Sequence, residues 1–337
     1  MSENSTQTLT LNRQNTSSRI LTKRINKETI TDALRRELIE GLQASRKYIS
    51  SKFFYDEYGS RLFEWITQLP EYYPTRTEKD IIKKYADELF GQLSHINLIE
   101  LGSGDCSKIS LVLNAINPDK LNNIIYYPID FSQASIEQNR SVLNQTFPEL
   151  KVKGITGDFT QLNSLPNEQP RIICFFGSTI GNFEPVEAEN LLIRIQKIMN
   201  PGDQLILGLD LVKDISVVEA AYNDSQRVTE AFNKNILRAC NKLIHTDFFI
   251  PDFDHLAYFN KELNRIEMHL VAKSDMKISS PLIKQDLRFI KGETIHTENS
   301  QKYTEKMIME LAKKSELTLN KMLFDENKWF TIIQLVK

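Results

Sequence analysis

Cysteine is scarce. Cys106, Cys174 and Cys240 are the only three, an odd number with no Cys-x-x-Cys pair. That excludes a disulfide framework or a cysteine-rich metal centre and fits a reducing compartment. The five histidines, His95, His245, His255, His269 and His296, are scattered without ligand spacing, so no metal site is expected. An excess of one charge is also missing. Lys and Arg number 42 against 44 Asp and Glu, a net charge of -2. No broad field exists to attract a polyanion, which makes nucleic acid and anionic membranes unexpected partners. No apolar run is long enough to span a bilayer, and residues 1–20 lack the basic start and apolar core of a secretory leader. That segment reads as a flexible polar tail, and a cytoplasmic location is the expectation.

What is present is an ordinary globular composition, 41% hydrophobic and 26% charged. At 337 residues the chain exceeds the usual single core, leaving room for two units or one fold with a long insertion. From Leu98 onward, apolar runs alternate with amphipathic stretches as in an α/β sheet. NLIELGSG, IIYYPID, KVKGITGDF, RIICFFGS and QLILGLDL read as five strands in order. Their unbroken apolar character predicts a sheet covered on both faces. Helices are expected from near Ser107, from a Ser132 cap to about Phe147, and over Ala188, Leu191, Leu192, Ile195 and Ile198. After Leu211 about ninety residues interrupt the alternation, too many for an ordinary connection. Within them Ser216-Val-Val-Glu219 has the form of a capping box, Asp224 could cap a helix toward Cys240, and Glu262 to Lys273 alternates like a strand. EKMIMELAKK is a further helix, and LNKMLFDE with WFTIIQLVK predicts a closing antiparallel hairpin.

Gly102-Ser-Gly104 lies between the first strand and its helix, where glycines let backbone approach a ligand. The third glycine of a dinucleotide fingerprint is absent, Ser107 standing in its place, and there is no Walker lysine. Asp130 ends the second strand and suits a ribose diol. Asp158-Phe159 ends the third, a carboxylate for an adenine amino group beside an aromatic ring. Each feature alone is equally a turn or a helix cap. Three at consecutive strand ends point to a nucleoside-containing ligand at the edge where such sheets bind them. Asp130 suits NAD and S-adenosylmethionine alike; the closing hairpin in place of a second βαβ half favours the methyl donor.

Longer motifs sharpen this reading. They are Phe54-Tyr55-Asp56 with Gly59-Ser60, Leu69-Pro70-Glu71-Tyr72-Tyr73-Pro74-Thr75-Arg76 and Phe176-Gly177-Ser178-Thr179-Ile180-Gly181-Asn182. Asp210-Leu-Val-Lys-Asp214, Ala221-Tyr222-Asn223-Asp224, Ile266-Glu267-Met268 and Thr297-Glu298-Asn299-Ser300 follow. Through them, and over nearly everything after about residue 45, the sequence resembles the S-adenosylmethionine-dependent histidine Nα-methyltransferases of ergothioneine biosynthesis.

The resemblance implies an α/β fold: a Rossmann-like methyltransferase core of seven mostly parallel strands with an antiparallel C-terminal strand, plus a discontinuous α+β substrate-binding domain. The core would comprise 77–210 and 303–337, the substrate domain 21–76 and 211–302. It further implies S-adenosyl-L-methionine held by Gly102, Lys108, Asp130, Asp158 and Phe159. Asn182 and Tyr222 would take the substrate carboxylate, and Tyr55, Gly177 and Asn182 would surround the amine, making Tyr55 and Asn182 the catalytic pair. Tyr72, Glu298 and Ser300 would face the imidazole, with Phe63, Thr179 and Met268 lining the pocket. Singly, Tyr72 and Tyr222 could be half-buried tyrosines, Ser300 a helix cap, Glu298 a favourable charge before that helix and Asn182 a turn residue. Their joint presence favours the site. Glu298 would accept the imidazole N–H and leave an apolar amino acid facing an unpaired carboxylate. The expected partner is L-histidine and the expected state a monomer. Methylation of another aromatic amino acid such as tryptophan, or donor binding without catalysis, are the alternatives.

Overall fold

A computed structural model describes residues 27–91, 96–166 and 170–337. The expected tail over 1–20 and His95 lie outside the described residues. Three helices open the chain: α1 (Lys27–Gln43), α2 (Glu57–Ile66) and α3 (Tyr73–Phe90). The sheet then begins with β1 (Ile96–Leu101), α4 (Ser107–Asn114), β2 (Ile124–Asp130) and α5 (Gln133–Thr146). Two short strands, β3 (Lys151–Val152) and β4 (Ile155–Thr156), precede β5 (Arg171–Phe175), α6 (Pro185–Ile198) and β6 (Gln204–Asp210). After α7 (Ile215–Ala220) and α8 (Val228–Ile244) come β7 (Phe253–Asn260), β8 (Arg265–Ala272), β9 (Met276–Ile278), β10 (Leu287–Phe289) and β11 (Thr294–Gln301). The chain closes with α9 (Glu305–Lys314) and the hairpin β12 (Thr318–Phe324) to β13 (Phe330–Val336).

The main sheet runs β12-β13-β6-β5-β1-β2-β3, with β4 also paired to β2. Parallel pairing prevails, and β13 is antiparallel to both β6 and β12. This is the Rossmann-like, mostly parallel arrangement expected. Alternate residues of β1 serve opposite faces: Ile96 and Leu98 pack with α3, α4 and α5, while Ile99 and Leu101 pack with α6 and α9. Because β2 and β5 flank β1 on opposite sides, the topological switch falls beside β1, where such sheets leave a crevice.

Two local expectations are corrected. KVKGITGDF is split at Lys153-Gly154 into β3 and β4. A Cβ on Gly154 would lie 2.1 Å from Ile136 Cγ2 of α5, so the strand gives way where that helix crosses it. The capping box at Ser216 does not form. Asp214 caps α7 through the Ser216 N–H (2.8 Å), and Glu219 instead accepts the Phe259 N–H (2.9 Å). Ser132 and Asp224 act as expected, taking N–H groups of Ser135, and of Val228 and Thr229.

A second sheet, β11-β8-β7, forms from the segment after Leu211. One hydrophobic cluster joins its buried face to α1, α2 and α8 through Leu38, Leu62, Phe232, Ile236, Met268 and Ile295. The early helices and the later segment therefore pack on one another. Among the described residues no helix is long and apolar enough to cross a membrane.

At the opposite strand ends from the crevice, Arg171 and Asp203 form an ion pair whose side chains are each only 2% exposed. Arg171 Nε donates to Asp203 Oδ2 (2.8 Å), which also receives the Asn200 N–H (2.6 Å). Asp203→Ala strands a buried guanidinium, and a loss of about 3–5 kcal/mol in urea unfolding is expected. A loss below about 1 kcal/mol would show the arginine to be satisfied without it.

Candidate active site

At the end of β1, Gly102 (φ +65°) and Gly104 (φ +48°) take the left-handed backbone that glycine tolerates. The Gly104 N–H donates to Asp130 Oδ2 (3.1 Å) and the Ser132 N–H to Oδ1 (3.0 Å), so Asp130 fixes the loop and keeps a lone pair on each oxygen. Ser103 Oγ, within that loop, is buried without a partner. An open glycine cradle, an orphaned hydroxyl and a strand-end carboxylate fit a nucleoside with a ribose diol. Asp158 and Phe159 are less available. Asp158 caps the following turn through the Thr160 N–H (2.8 Å) and hydroxyl (2.5 Å). The Phe159 ring packs against Phe175 and Phe183, and only its edge approaches Gly102.

From the glycine loop the site continues through a residue that sequence reasoning missed. Glu78 of α3 is fully buried, pairs with Lys108 (2.5 Å) and accepts the Gly177 N–H on both oxygens (2.8 and 2.9 Å). It fits because β6 carries glycine opposite: a Cβ on Gly208 would lie 2.0 Å from Glu78 Oε1. Gly177 (φ +81°) and Ser178 (φ +54°) form the turn after β5. Thr179 spends its hydroxyl on the Phe176 carbonyl (3.0 Å). At Gly181 an added Cβ would sit 3.1 Å from the Gln301 backbone, so this turn lies directly against β11. Asn182 follows, its carboxamide without a partner among the described residues.

Aromatic rings make the adjoining wall. Tyr55 meets Phe63 and Phe232 edge-on at 5.6 and 5.7 Å, Phe63 meets Tyr72 at 6.2 Å, and Tyr72 meets Tyr222 at 6.4 Å. The Leu69–Arg76 motif positions Tyr72: the Arg76 guanidinium clamps the Leu69 (3.0 Å), Pro70 (2.7 Å) and Tyr72 (3.3 Å) carbonyls. Asp56 caps α2 through the Gly59 N–H (2.8 Å) and takes an Asn235 N–H (2.9 Å), seating Tyr55 beside α8.

Into this wall projects Glu298, opposite Met268 in the β11–β8 register. Its carboxylate has no hydrogen-bond partner among the described residues, and burial, opposed by Lys302, pushes its pKa up to about 8. Burial also raises the phenols of Tyr55, Tyr72 and Tyr222, and the Glu298 charge adds to each. Asp130 acts on Tyr55 as well, which places the glycine-loop carboxylate and the aromatic wall within electrostatic reach. Met268 itself is buried beside Glu298 on the neighbouring strand.

Ser300, Tyr222 and an unforeseen lysine form the floor. Tyr222 donates to Ser300 Oγ (2.7 Å), and Lys302 donates to Ser300 Oγ (2.7 Å) and Tyr222 Oη (3.1 Å). Lys302 also pairs with Asp210 (2.8 Å), which Lys213 (2.5 Å) and Tyr73 (2.7 Å) share. Burial raises the pKa of Asp210, but the two lysines reverse this and hold it below the ordinary value; burial brings Lys213 down to about 8. Ser300 is not a helix cap, since Thr304 caps α9 through the Met307 N–H (3.2 Å).

The structure thus brings Tyr55, Phe63, Tyr72, Tyr222, Glu298 and Ser300 close together, with the Gly177–Asn182 turn against the strand that carries Glu298 and Ser300. Phe232, Glu78, Asp210, Lys213 and Lys302 were missed. Two of them had a signal. Glu298, Ser300 and Lys302 are spaced by two, with Lys302 immediately past the end of β11. Glu78 sits at helical spacing with Pro74, Ile81 and Ile82, an acid on a buried stripe.

The family described as histidine-specific methyltransferase, SAM-dependent, matches residues 34–337. The chain is 36% identical over 287 residues to the histidine N-alpha-methyltransferase of Mycolicibacterium smegmatis, covering 85% of this chain and 89% of that protein. Identity to the Mycobacterium tuberculosis protein of the same name is 36% over 273 residues, covering 80% and 84%. Ergothioneine biosynthesis protein 1 of Schizosaccharomyces pombe is 31% identical over 297 residues, 83% of this chain but 38% of that longer protein.

The raised pKa of Glu298 has a thermodynamic signature. Its carboxyl titrates near 4.5 ordinarily and about 8 when folded, so the folded state holds the proton more tightly. Stability from this group is full below the unfolded pKa and is lost as pH rises through that window. Glu100, buried and also raised to about 8, contributes in the same direction. The difference between wild type and Glu298→Gln in urea unfolding isolates Glu298: it is expected to fall with pH across the window and to be flat above it. Parallel curves would contradict the assigned environment.

Proposed function

The chain belongs to the S-adenosylmethionine-dependent histidine-specific methyltransferase family and methylates the α-amino group of histidine, and we propose that it does so up to three times. The product is then hercynine, the trimethyl betaine, as the first step of ergothioneine biosynthesis, made by a cytoplasmic monomer that takes no nucleic acid or membrane partner. We assign 77–210 and 303–337 to donor binding and 21–76 with 211–302 to the amino acid. The observation that carries the substrate reading is Glu298: a carboxylate without a partner, beside Ser300, inside an aromatic wall.

S-adenosylmethionine, when bound, supplies an electrophilic methyl carbon on a positively charged sulfur. Gly102 and Gly104 would admit it closely, Asp130 would accept from its ribose, and Lys108, Asp158 and Phe159 would border it. Across the pocket Glu298 accepts from the imidazole N–H and Ser300 bonds its other nitrogen. Asn182 would receive the carboxylate, the one Tyr222 proton being already given to Ser300, and Tyr55, Gly177 and Asn182 would surround the amine.

Only the neutral amine has a lone pair to form the N–C bond as the C–S pair returns to sulfur. A peptide α-amine loses its proton near pH ~8; the free amino acid holds it more tightly, and the positive sulfonium beside it favours the neutral form. The Tyr55 phenol, pushed up by burial and by Glu298, stays protonated and cannot serve as a standing base. Its part is to orient the nitrogen, and the proton leaves to water. Such alignment is worth on the order of 7–11 kcal/mol in well-oriented systems. Aromatic faces at Tyr55, Phe63 and Tyr72 then accept the increasingly methylated cation between rounds.

Mass spectrometry of histidine after incubation with isotopically labelled donor is expected to show one to three added methyls on the α-nitrogen. Preferred turnover of tryptophan would overturn the substrate assignment. Glu298→Ala should lower kcat/KM for histidine by at least about a hundredfold with donor affinity retained. For Asp130→Ala, calorimetry should instead show donor affinity reduced about 10- to 100-fold with any amino acid; unaltered affinity would remove Asp130 from the ribose.

A further inference from the structure

We infer that Lys302, anchored by Asp210, is a positioning residue that fixes the direction of the Ser300 hydroxyl proton and thereby makes the pocket read one donor and one acceptor on the substrate ring. The inference rests on the assignment of Glu298 and Ser300 to the imidazole.

Proton counting carries it. Lys302 is buried, and its ammonium has three N–H donors. They are directed at Asp210 Oδ2 (2.8 Å), Ser300 Oγ (2.7 Å) and Tyr222 Oη (3.1 Å), so none remains. Ser300 Oγ also receives the Tyr222 proton (2.7 Å). A serine oxygen has two lone pairs, and here both are engaged. Its own proton has no acceptor among the described residues and is the one polar feature Ser300 can still offer. Two positions earlier on the same strand face, Glu298 offers a carboxyl oxygen as acceptor in either protonation state. A neutral imidazole presents one N–H and one bare nitrogen and satisfies both. An indole ring lacks the bare nitrogen, and a phenyl ring lacks both.

Asp210 holds the lysine in place and aimed. Its Oδ1 takes Lys213 and its Oδ2 takes Tyr73 and Lys302. Loss of Lys302 leaves that carboxylate with two partners, so a neutral replacement of similar length is compatible with folding.

Lys302→Met and Lys302→Gln test the inference together, because the two side chains are close in length and only glutamine retains N–H donors. Unfolding temperature and affinity for S-adenosylhomocysteine report on folding. With both retained, Lys302→Met is expected to raise KM for histidine roughly 10- to 100-fold with kcat within about threefold, and Lys302→Gln to raise it less. Ser300→Ala should cost less in the Lys302→Met background than in wild type, since an unaimed hydroxyl contributes little. Equal KM in the two Lys302 variants, or fully additive losses with Ser300→Ala, would overturn the inference. Should Lys302→Met fail to fold, the cycle with Lys302→Gln and Ser300→Ala decides by the same criterion. Wild-type protein that does not methylate histidine would overturn the substrate reading itself, a result separable from any behaviour of the variants.

Discussion

A single buried carboxylate, Asp210, holds the two halves of the site in register. It ends β6, the strand that links the parallel sheet to the closing hairpin. Its side chain gathers Tyr73 from α3, Lys213 from the following loop and Lys302 from the end of β11. Its backbone is tied as well, the N–H to Ser178 Oγ (3.0 Å) and the carbonyl to the Tyr303 N–H (2.8 Å). Two lysines and one aspartate leave a surplus positive charge in the interior, a costly arrangement unless every donor is engaged. Each is: Lys213 completes its set with the Tyr73 hydroxyl (2.7 Å) and the Leu211 carbonyl (2.5 Å).

The core of the fold was legible where burial alone dictates sequence. Strands β1, β2, β5 and β6 are apolar because both faces are covered, and Ser132 and Asp224 announce helix starts through their caps. Legibility failed where another demand competes. Strand β11 reads Thr-Ile-His-Thr-Glu-Asn-Ser-Gln, without an apolar face, because it supplies polar groups to the pocket. Strand β7, on the far side of β8, alternates only weakly, and the third strand of the core yields to the passage of α5.

The same division applies to the site. Gly102, Asp130, Glu298, Ser300 and Tyr222 are carried by contiguous motifs and could be named from them. Residues that act through others could not. Lys302 follows a recognisable motif by two positions, and Asp210 opens one, yet charge in a sequence reads first as surface. Asp158 and Phe159 come just after β4, where local capping and core packing engage both and leave less of each for a ligand.

Glu78 lies at the meeting of the glycine loop and the Gly177 turn, and it is there because β6 has no side chain at 208. The clearance between helix and sheet is shared between two residues 130 positions apart. An alanine at 208 and a glutamate at 78 compete for the same space, and a shorter acid at 78 would release both the turn and Lys108. Substitution at either position is therefore heritable only in step with the other, and the pair would drift through descent as one character.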